Sequence, residues 1–506
     1  MSTKMLKRVM AAVLAGAMCL GFAGCGPKQG SKDEKVKLVW VMYGENLKDS
    51  ERVWAEFNKK LQEKMPNVEV EFQLFSASDY GQKVMLMQTS REQMDIVNTS
   101  GLNFGQEVKN GSFLAIDEQV EKYADELKAS LPEGIFDYMK VDGKIYGIPS
   151  YQGLVTRKSF MTPKALSDKY LDKEALTAAL DNNEHLTEDF YNVIEDYLKN
   201  MKDNGDLRLG FKSGFDAKYA LKGYDNVYGQ FVYSKYDPEC KVQWLYETPE
   251  MKMYFEKVAD WYKKGYIRED ILTNNNDSAQ VGKENGYITW VATDLGEGAE
   301  SATKTYGFDI EAYPIEKDCW VGITNSGAGG NAISINSEHP DEAVEFLCLL
   351  NTDEELWRLL CYGIEGEHYE LDEQGRITTY GYTGIPTSNC DYGMYNFCLG
   401  NAFLGYPGVT VKADYFEGLD KLSKDSQFQS PLKGFIITID DPNLQSKASQ
   451  INAIDVEYTG SLLTGAVENQ MEMYDEFIAK VKKAGLDEVK AEVQRQVDEF
   501  LANKNK

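Results

Sequence analysis

Residues 36–97 alternate between strand-like and helix-like patterns, and this constrains the fold of the 506-residue chain more than any other feature. The stretch 36–42 is nearly all apolar, as a strand covered on both faces should be. The stretch 68–74 alternates apolar with polar side chains, as a second strand does. Between the two, apolar residues recur at the spacing of one helix face: Val53, Trp54, Phe57 and Leu61. A strand–helix–strand pattern predicts a parallel sheet with right-handed crossovers, and therefore an α/β fold class.

The first 25 residues indicate export. Three cationic residues precede an uncharged run over 9–22, which is shorter than the roughly 20 apolar residues that a membrane span needs. The run is followed by small residues and Cys25, a pattern typical of the bacterial lipobox, whose cysteine carries the lipid. We predict a signal peptide over 1–24, lipidation at Cys25 and a flexible tether over 25–35. The alternative is an ordinary signal peptide that ends near a cysteine.

The charge balance excludes one class of partner. The chain has 54 Lys and Arg against 81 Asp and Glu, for a formal net charge of −27. A nucleic-acid binder needs a basic face, and Lys and Arg do not cluster here. We therefore expect no nucleic acid as a partner and contact with the membrane only through the lipid. Acidity of this kind favours solubility, and we expect a monomer.

Motifs that carry chemistry are missing from the sequence. The three histidines are not at metal-ligand spacing, and there is no Cys-x-x-Cys, no nucleophile elbow and no phosphate loop. We therefore predict no catalytic residue, no metal and no cofactor. Glu365 and Glu367 could in principle serve a glycosidase, but in so acidic a chain such a pair is typical of a solvated face. A cell-surface glycan-acting enzyme, or another cell-wall lipoprotein, is the alternative function.

Polar and aromatic side chains follow two strands of the expected sheet. Tyr43 and Glu45 come directly after the first strand, and Asn98 and Ser100 after the third. In open parallel sheets, ligands bind beyond the carboxyl ends of the strands. These side chains could stack on a neutral polar solute or hydrogen-bond to it. For Asn98 and Ser100, local turn bonding or helix capping is an equal alternative.

Six stretches, taken in chain order, resemble the bacterial family-one extracellular solute-binding proteins of ABC importers. More specifically, they resemble a lipoprotein branch of that family with its own C-terminal domain of unknown function. The resemblance covers nearly all of the mature chain. The stretches are 95–97, 111–117, 141–149, 331–334, 349–356 and 362–369.

The resemblance implies a periplasmic-binding-protein-like fold of type II, with two α/β lobes joined by a hinge and a helical C-terminal extension. It places 36–148 and 290–340 in the first lobe and 149–289 and 341–440 in the second. A branch-specific C-terminal region over 365–506 would overlap the second lobe.

The same resemblance implies a function and completes the candidate site. The protein would capture a small solute, most simply a mono- or oligosaccharide, between the lobes and deliver it to ABC transporter permease subunits at the outer face of the cell membrane. Tyr151 and Gln152 would line the hinge side, and Trp290 would stack on the solute unless it packs in the core. Asn331 would offer a polar group. The full candidate set is Tyr43, Glu45, Asn98, Ser100, Tyr151, Gln152, Trp290 and Asn331.

Overall fold

The computed structural model describes residues 35–181, 184–208, 222–273, 289–293, 298–323, 329–378 and 391–504, with the backbone alone for 289–293. The strands in these ranges are β1 Val36–Tyr43, β2 Val68–Phe75, β3 Ile96–Asn98, β4 Lys140–Val141, β5 Lys144–Ile145, β6 Gly147–Pro149, β7 Val155–Thr156, β8 Lys158–Pro163, β9 Tyr224–Tyr228, β10 Phe231–Ser234, β11 Gln243–Trp244, β12 Thr289–Thr293, β13 Ile310–Pro314, β14 Trp320–Val321 and β15 Gly330–Ile333.

The α-helices in the same ranges are α1 Ser50–Lys64, α2 Tyr80–Ser90, α3 Phe104–Lys109, α4 Asp117–Tyr123, α5 Asp125–Ser130, α6 Lys164–Tyr170, α7 Lys173–Asp181, α8 Glu188–Asp203, α9 Pro249–Lys263, α10 Gly298–Tyr306, α11 Pro340–Leu350, α12 Glu354–Tyr362, α13 Asn396–Leu399, α14 Tyr415–Asp425, α15 Pro442–Thr464, α16 Gln470–Lys483 and α17 Leu486–Lys504. Single 3-10 turns lie at Ile135–Met139, Leu245–Glu247 and Ala402–Leu404. None of the helices described is long and apolar enough to cross a membrane.

The first lobe is built on a five-stranded sheet in the order β2-β1-β3-β15-β6. The first three strands are parallel, as predicted, whereas β15 runs antiparallel to both β3 and β6. The apolar run of β1 is buried on both faces. Its residues Leu38, Trp40 and Met42 enter one core, and Val39 and Val41 enter the other.

The second lobe has its own core and its own sheets. In one of them β8 lies between β12 and β13, and in another β10 lies between β9 and β11. This corrects the predicted lobe boundary, because β12 pairs with β8 and not with the first sheet. The chain rejoins the first sheet at Gly330, where β15 pairs with β3.

Helices α11 and α12 belong to the first lobe, which corrects the prediction that 341–440 lies in the second. Phe346 of α11 packs edge-on against Trp40 of β1, with ring centroids 5.7 Å apart, and lies 6.3 Å from Phe57 of α1. The physical reason is the short link from β15, which lets the apolar face of α11 cover the sheet that the chain has just rejoined.

The C-terminal region is divided between the lobes. Leu399 and Leu419 are buried in the first core, whereas α15, α16 and α17 are buried in the second. Phe477 of α16 packs against Trp244 at 5.2 Å and stacks on Tyr458 of α15 at 5.4 Å. The last three helices are therefore an integral part of the second lobe.

In the part of the chain that the structure describes, three connections between the lobes run side by side. β7 pairs with β14, and Val321 of β14 also bridges to Gln429 on the third connection. Short paired strands of this kind form a hinge about which two lobes can close. The structure thus has the two-lobed architecture with a helical C-terminal region that the family resemblance implied.

Candidate functional site

Tyr43 lies at the carboxyl end of β1, at the edge of the first sheet that faces the lobe junction. Its half-buried ring lies 4.5 Å from the ring of Tyr80 and 6.4 Å from that of Phe397. Gly101 closes over it with φ of +76°, and a Cβ at that position would fall 1.7 Å from the Tyr43 hydroxyl oxygen. Burial raises the pKa of Tyr43 above its usual range, so the phenol is neutral.

Asn98, at the end of β3, is fully buried and committed to the fold. Its Nδ2 lies 3.2–3.3 Å from the carbonyl oxygens of Gly330 and Cys398 and from Oδ1 of Asn331. Its Oδ1 accepts the backbone N–H of Ser100 at 3.1 Å. Asn98 is therefore bonded within the fold, by one local bond to Ser100 and by bonds to distant segments, and the prediction that its amide faces a solute is corrected.

The side-chain amide of Asn331, in β15, is also bonded within the fold. Its Nδ2 donates to the Cys398 carbonyl at 2.9 Å, and its Oδ1 accepts from Nε1 of Trp40 at 3.2 Å and from Asn98. The side chain is fully buried. A fully buried amide whose nitrogen and oxygen are both bonded within the fold has nothing to offer a solute, so this prediction is also corrected.

The two amides nevertheless position an aromatic surface. Because both donate to the Cys398 carbonyl, they hold the segment before it against the carboxyl end of β3. This places Phe397 beside Tyr43, and Tyr395 lies 5.3 Å from Phe397. All three rings are half-buried. We refer to Tyr43, Tyr395 and Phe397 as the aromatic platform.

Sequence reasoning missed Tyr395 and Phe397. The aromatic-rich stretch 392–397 was the available signal. Its position beside β3 depends on contacts between residues 300 apart in the chain, which no local pattern reveals.

Tyr151 serves the fold and not the cleft. Its side chain is 1% exposed, and its hydroxyl donates to Oδ1 of Asp420 at 2.7 Å. The ring packs edge-on against Phe403 at 4.8 Å. Burial raises the pKa of Tyr151 well above its usual range. The predicted role as a solute contact is thus replaced by an anchor at the start of the first interlobe connection, whereas its neighbour Gln152 is half-exposed.

The remaining candidates differ in exposure. Glu45 is exposed and Ser100 is nearly buried at the edge of the sheet. Trp290 lies in β12 in the second lobe, and its side chain falls outside the described atoms. Glu367, one of the two carboxylates weighed for catalysis, forms an exposed ion pair with Arg52 at 2.7 Å. That is the solvated arrangement expected of a surface carboxylate.

A groove of about 490 Å³ lies between the lobes. Asn103, Gln106 and Asn110 line it from the first lobe, and Tyr228 and Gln230 line it from the turn between β9 and β10. Its volume falls in the range of small-molecule sites, about 300–1,000 Å³.

Comparison with known families shows which family the chain belongs to. The family model described as bacterial extracellular solute-binding protein matches residues 54–358. A domain of unknown function, DUF3502, matches residues 431–502. The chain belongs to the bacterial extracellular solute-binding protein family, which confirms the resemblance seen in its sequence.

Two relatives share most of the chain. A carbohydrate ABC transporter substrate-binding protein of Streptococcus pneumoniae serotype 4 is 27% identical over 98% of this chain and 99% of its own length. A polygalacturonan/rhamnogalacturonan-binding protein of Bacillus subtilis, YtcQ, is 24% identical over 73% of this chain and 76% of its own.

Solved structures show the same fold. The N-glycan transport solute binding protein NgtS of Streptococcus pneumoniae covers 93% of this chain and 100% of its own, with 23% identity and a TM-score of 0.73. Its complex with Man5GlcNAc gives a TM-score of 0.64 at 24% identity, covering 93% of this chain and 99% of its own. The substrate binding protein FusA of Streptococcus pneumoniae with kestose covers 93% and 100%, at 15% identity and a TM-score of 0.55.

Proposed function

We propose that this solute-binding protein captures a neutral oligosaccharide between its lobes and delivers it, as a monomer, to the permease subunits of an ABC importer. The observation that carries the proposal is the aromatic platform, three half-buried rings at the carboxyl edge of the first sheet. The full-length relative named for carbohydrate transport supports the solute class.

The chemistry of a sugar fits this edge. A sugar ring has a face of C–H groups and a rim of hydroxyls, so its site needs flat aromatic rings and fixed polar groups. The platform supplies the rings, and Trp290 would add one from the second lobe. Ser100 and Gln152 would bond the rim, and Glu45 would accept the stronger bonds that an ionised acceptor makes.

We propose no turnover of the solute. The two carboxylates weighed for hydrolysis give no support to it, because Glu365 is exposed and Glu367 is occupied by Arg52. Binding and release through hinge motion is sufficient for transport.

The membrane anchor is proposed at Cys25. One acyl chain binds a membrane only marginally, whereas two give stable anchoring. Cells that express Cys25→Ala should release the protein to the medium or leave it unprocessed. If the wild-type protein takes up no labelled fatty acid, the anchor proposal fails.

A thermal-shift screen tests the solute class. The panel should hold neutral glycans of graded length, including the Man1GlcNAc and Man5GlcNAc of the NgtS complexes, beside acidic oligogalacturonates, peptides and amino acids. A ligand at 100 times its Kd stabilises the folded state by about 2.7 kcal/mol. We expect neutral glycans to give the largest shifts. If peptides or amino acids stabilise the protein and no glycan does, the proposal is wrong.

A further inference from the structure

We infer that the C-terminal domain of unknown function builds one wall of the solute cleft and recognises the distal units of a long, uncharged oligosaccharide. The inference rests on the proposed function. It assigns to DUF3502 a role in setting the length of the solute that the protein prefers.

The first observation is the position of α15. This helix lies within the matched region 431–502, and its residues Gln445, Ser449 and Asn452 line the interlobe groove. They are spaced by four and three residues and so share one helix face. The same groove is lined from the first lobe by Asn103 and Gln106. The domain therefore faces the first lobe directly across the groove.

The second observation is that this wall is firmly held. The opposite face of α15 is buried in the second core through Tyr458 and Leu462. The segment 436–438, which precedes α15 in the chain, contacts the first lobe closely. A Cβ on Gly105 would lie 2.6 Å from a side-chain carbon of Ile436. The domain thus moves with the second lobe and meets the first lobe when the two are together.

The third observation is continuity with the aromatic platform. Gly101 packs on the hydroxyl of Tyr43, and Asn103, two residues further on, lines the groove. Two residues span at most about 7 Å between Cα atoms. A chain of sugars that begins on the platform can therefore run on into the groove.

The fourth observation is the chemistry of the groove. Its lining offers amides and a hydroxyl beside the half-buried ring of Tyr228, which is stacked on Phe231 at 6.4 Å with an interplanar angle of 5°. Gln230 donates to Asp455 at 3.0 Å, while its own Oε1 is buried and accepts no hydrogen bond from any described residue. The amides and the hydroxyl that line the groove can bond the hydroxyl groups of a sugar.

A second groove, of about 1160 Å³, helps to define the class of ligand. It lies on the other side of the segment 433–441 and is lined by many charged residues. Its charges pair with one another, as in Lys109 with Asp142 and Lys140 with Asp137, each at 2.7 Å. The groove lined by α15 holds mostly amides, and its one charged lining residue, Asp455, accepts a hydrogen bond from Gln230 at 3.0 Å, so this lining suits a neutral glycan.

A matched pair of variants tests the inference. Ser449→Tyr puts a bulky side chain into the groove, whereas Ser446→Tyr makes the same change on the same helix outside it. Calorimetry should measure the Kd for the shortest and the longest glycan of the series that binds the wild-type protein. We expect Ser449→Tyr to raise the Kd of the longest glycan about tenfold or more and to leave the Kd of the shortest glycan within about twofold of the wild-type value. Ser446→Tyr should change neither.

The outcomes separate the two proposals. If Ser449→Tyr weakens the binding of short and long glycans equally, or changes the binding of neither, the inference is wrong and the proposed function stands. If no glycan of any length binds the wild-type protein, the proposed function fails and this inference fails with it. Asn452→Ala, at an exposed position, guards against misfolding of the larger variant and should weaken the longest glycan about threefold or more.

Discussion

Replacing the buried amide of Asn331 by a carboxylate tests how the aromatic platform is held. In Asn331→Asp, the retained oxygen can still accept from Trp40 and Asn98. The group that donates to the Cys398 carbonyl at 2.9 Å becomes a second acceptor facing that carbonyl. Two acceptors at that distance repel each other, so the segment that carries Phe397 must shift or the carboxyl must take up a proton.

The magnitude follows from the bonds that are lost. One buried hydrogen bond contributes about 0.5–1.5 kcal/mol, and a buried acceptor left unsatisfied costs about 1–3 kcal/mol. The Cys398 carbonyl keeps its bond from Asn98, so no further penalty arises there. We expect the free energy of unfolding to fall by about 2–4 kcal/mol and glycan affinity to fall with it.

The loss of stability in Asn331→Asp should also depend on pH. Burial and the facing carbonyl raise the pKa of the introduced carboxyl in the folded state, and only its protonated form can donate to that carbonyl. A raised folded-state pKa adds stability at low pH that is lost as pH rises. The difference from wild type should therefore be smaller at about pH 5 than at about pH 8.

Urea denaturation of purified variants, with calorimetric titration of the same preparations, measures both effects. Asn336→Asp is the matched control, since its amide also donates to a backbone carbonyl, that of Glu92 at 3.3 Å, but at the exposed surface. The control should change stability by less than about 0.5 kcal/mol. If Asn331→Asp behaves like the control, the amide network does not hold the platform.

Four further substitutions separate rings that contact the solute from rings that serve the fold. Phe397→Ala should weaken glycan binding by on the order of 1–3 kcal/mol, the scale measured for stacking of bases on aromatic rings, whereas Phe403→Ala, a half-buried ring in the same core, should lower only the denaturation midpoint. Tyr151→Phe should lower stability by about 1–2 kcal/mol through the lost bond to Asp420 and leave affinity unchanged; the reverse result would make Tyr151 a solute contact. Trp290→Ala should reduce affinity on that same scale while the midpoint holds, whereas a core tryptophan would cost about 3–5 kcal/mol of stability.

The first sheet could be predicted from sequence because its signals are local. The apolar run of β1 and the alternation of β2 report burial on two faces and on one face, and the parallel order followed from the intervening helix. The place where the chain rejoins this sheet could not be predicted in the same way. β12 has ordinary strand character, and only its pairing with β8 assigns it to the second lobe.

The meeting of the two strand ends was predicted, whereas part of the surface that lies there was missed. The carboxyl ends of β1 and β3 do meet at one edge, so Tyr43 and Asn98 lie close together there. Whether a side chain at that edge faces solvent or the fold depends on its partners. Asn98 and Asn331 meet the Cys398 carbonyl, which arrives from a distant segment, and this turns both amides inward. The same contact brings in Phe397, which sequence reasoning did not select.

One measurement tests the central claim most directly: calorimetric titration of the purified protein with the glycan that stabilises it most, followed by mass spectrometry of the recovered ligand. We predict saturable binding of one glycan per chain, loss of affinity in Phe397→Ala, and recovery of the glycan intact after prolonged incubation. Binding that is indifferent to Phe397, or a product that accumulates in proportion to the protein, would contradict capture of an oligosaccharide on the aromatic platform.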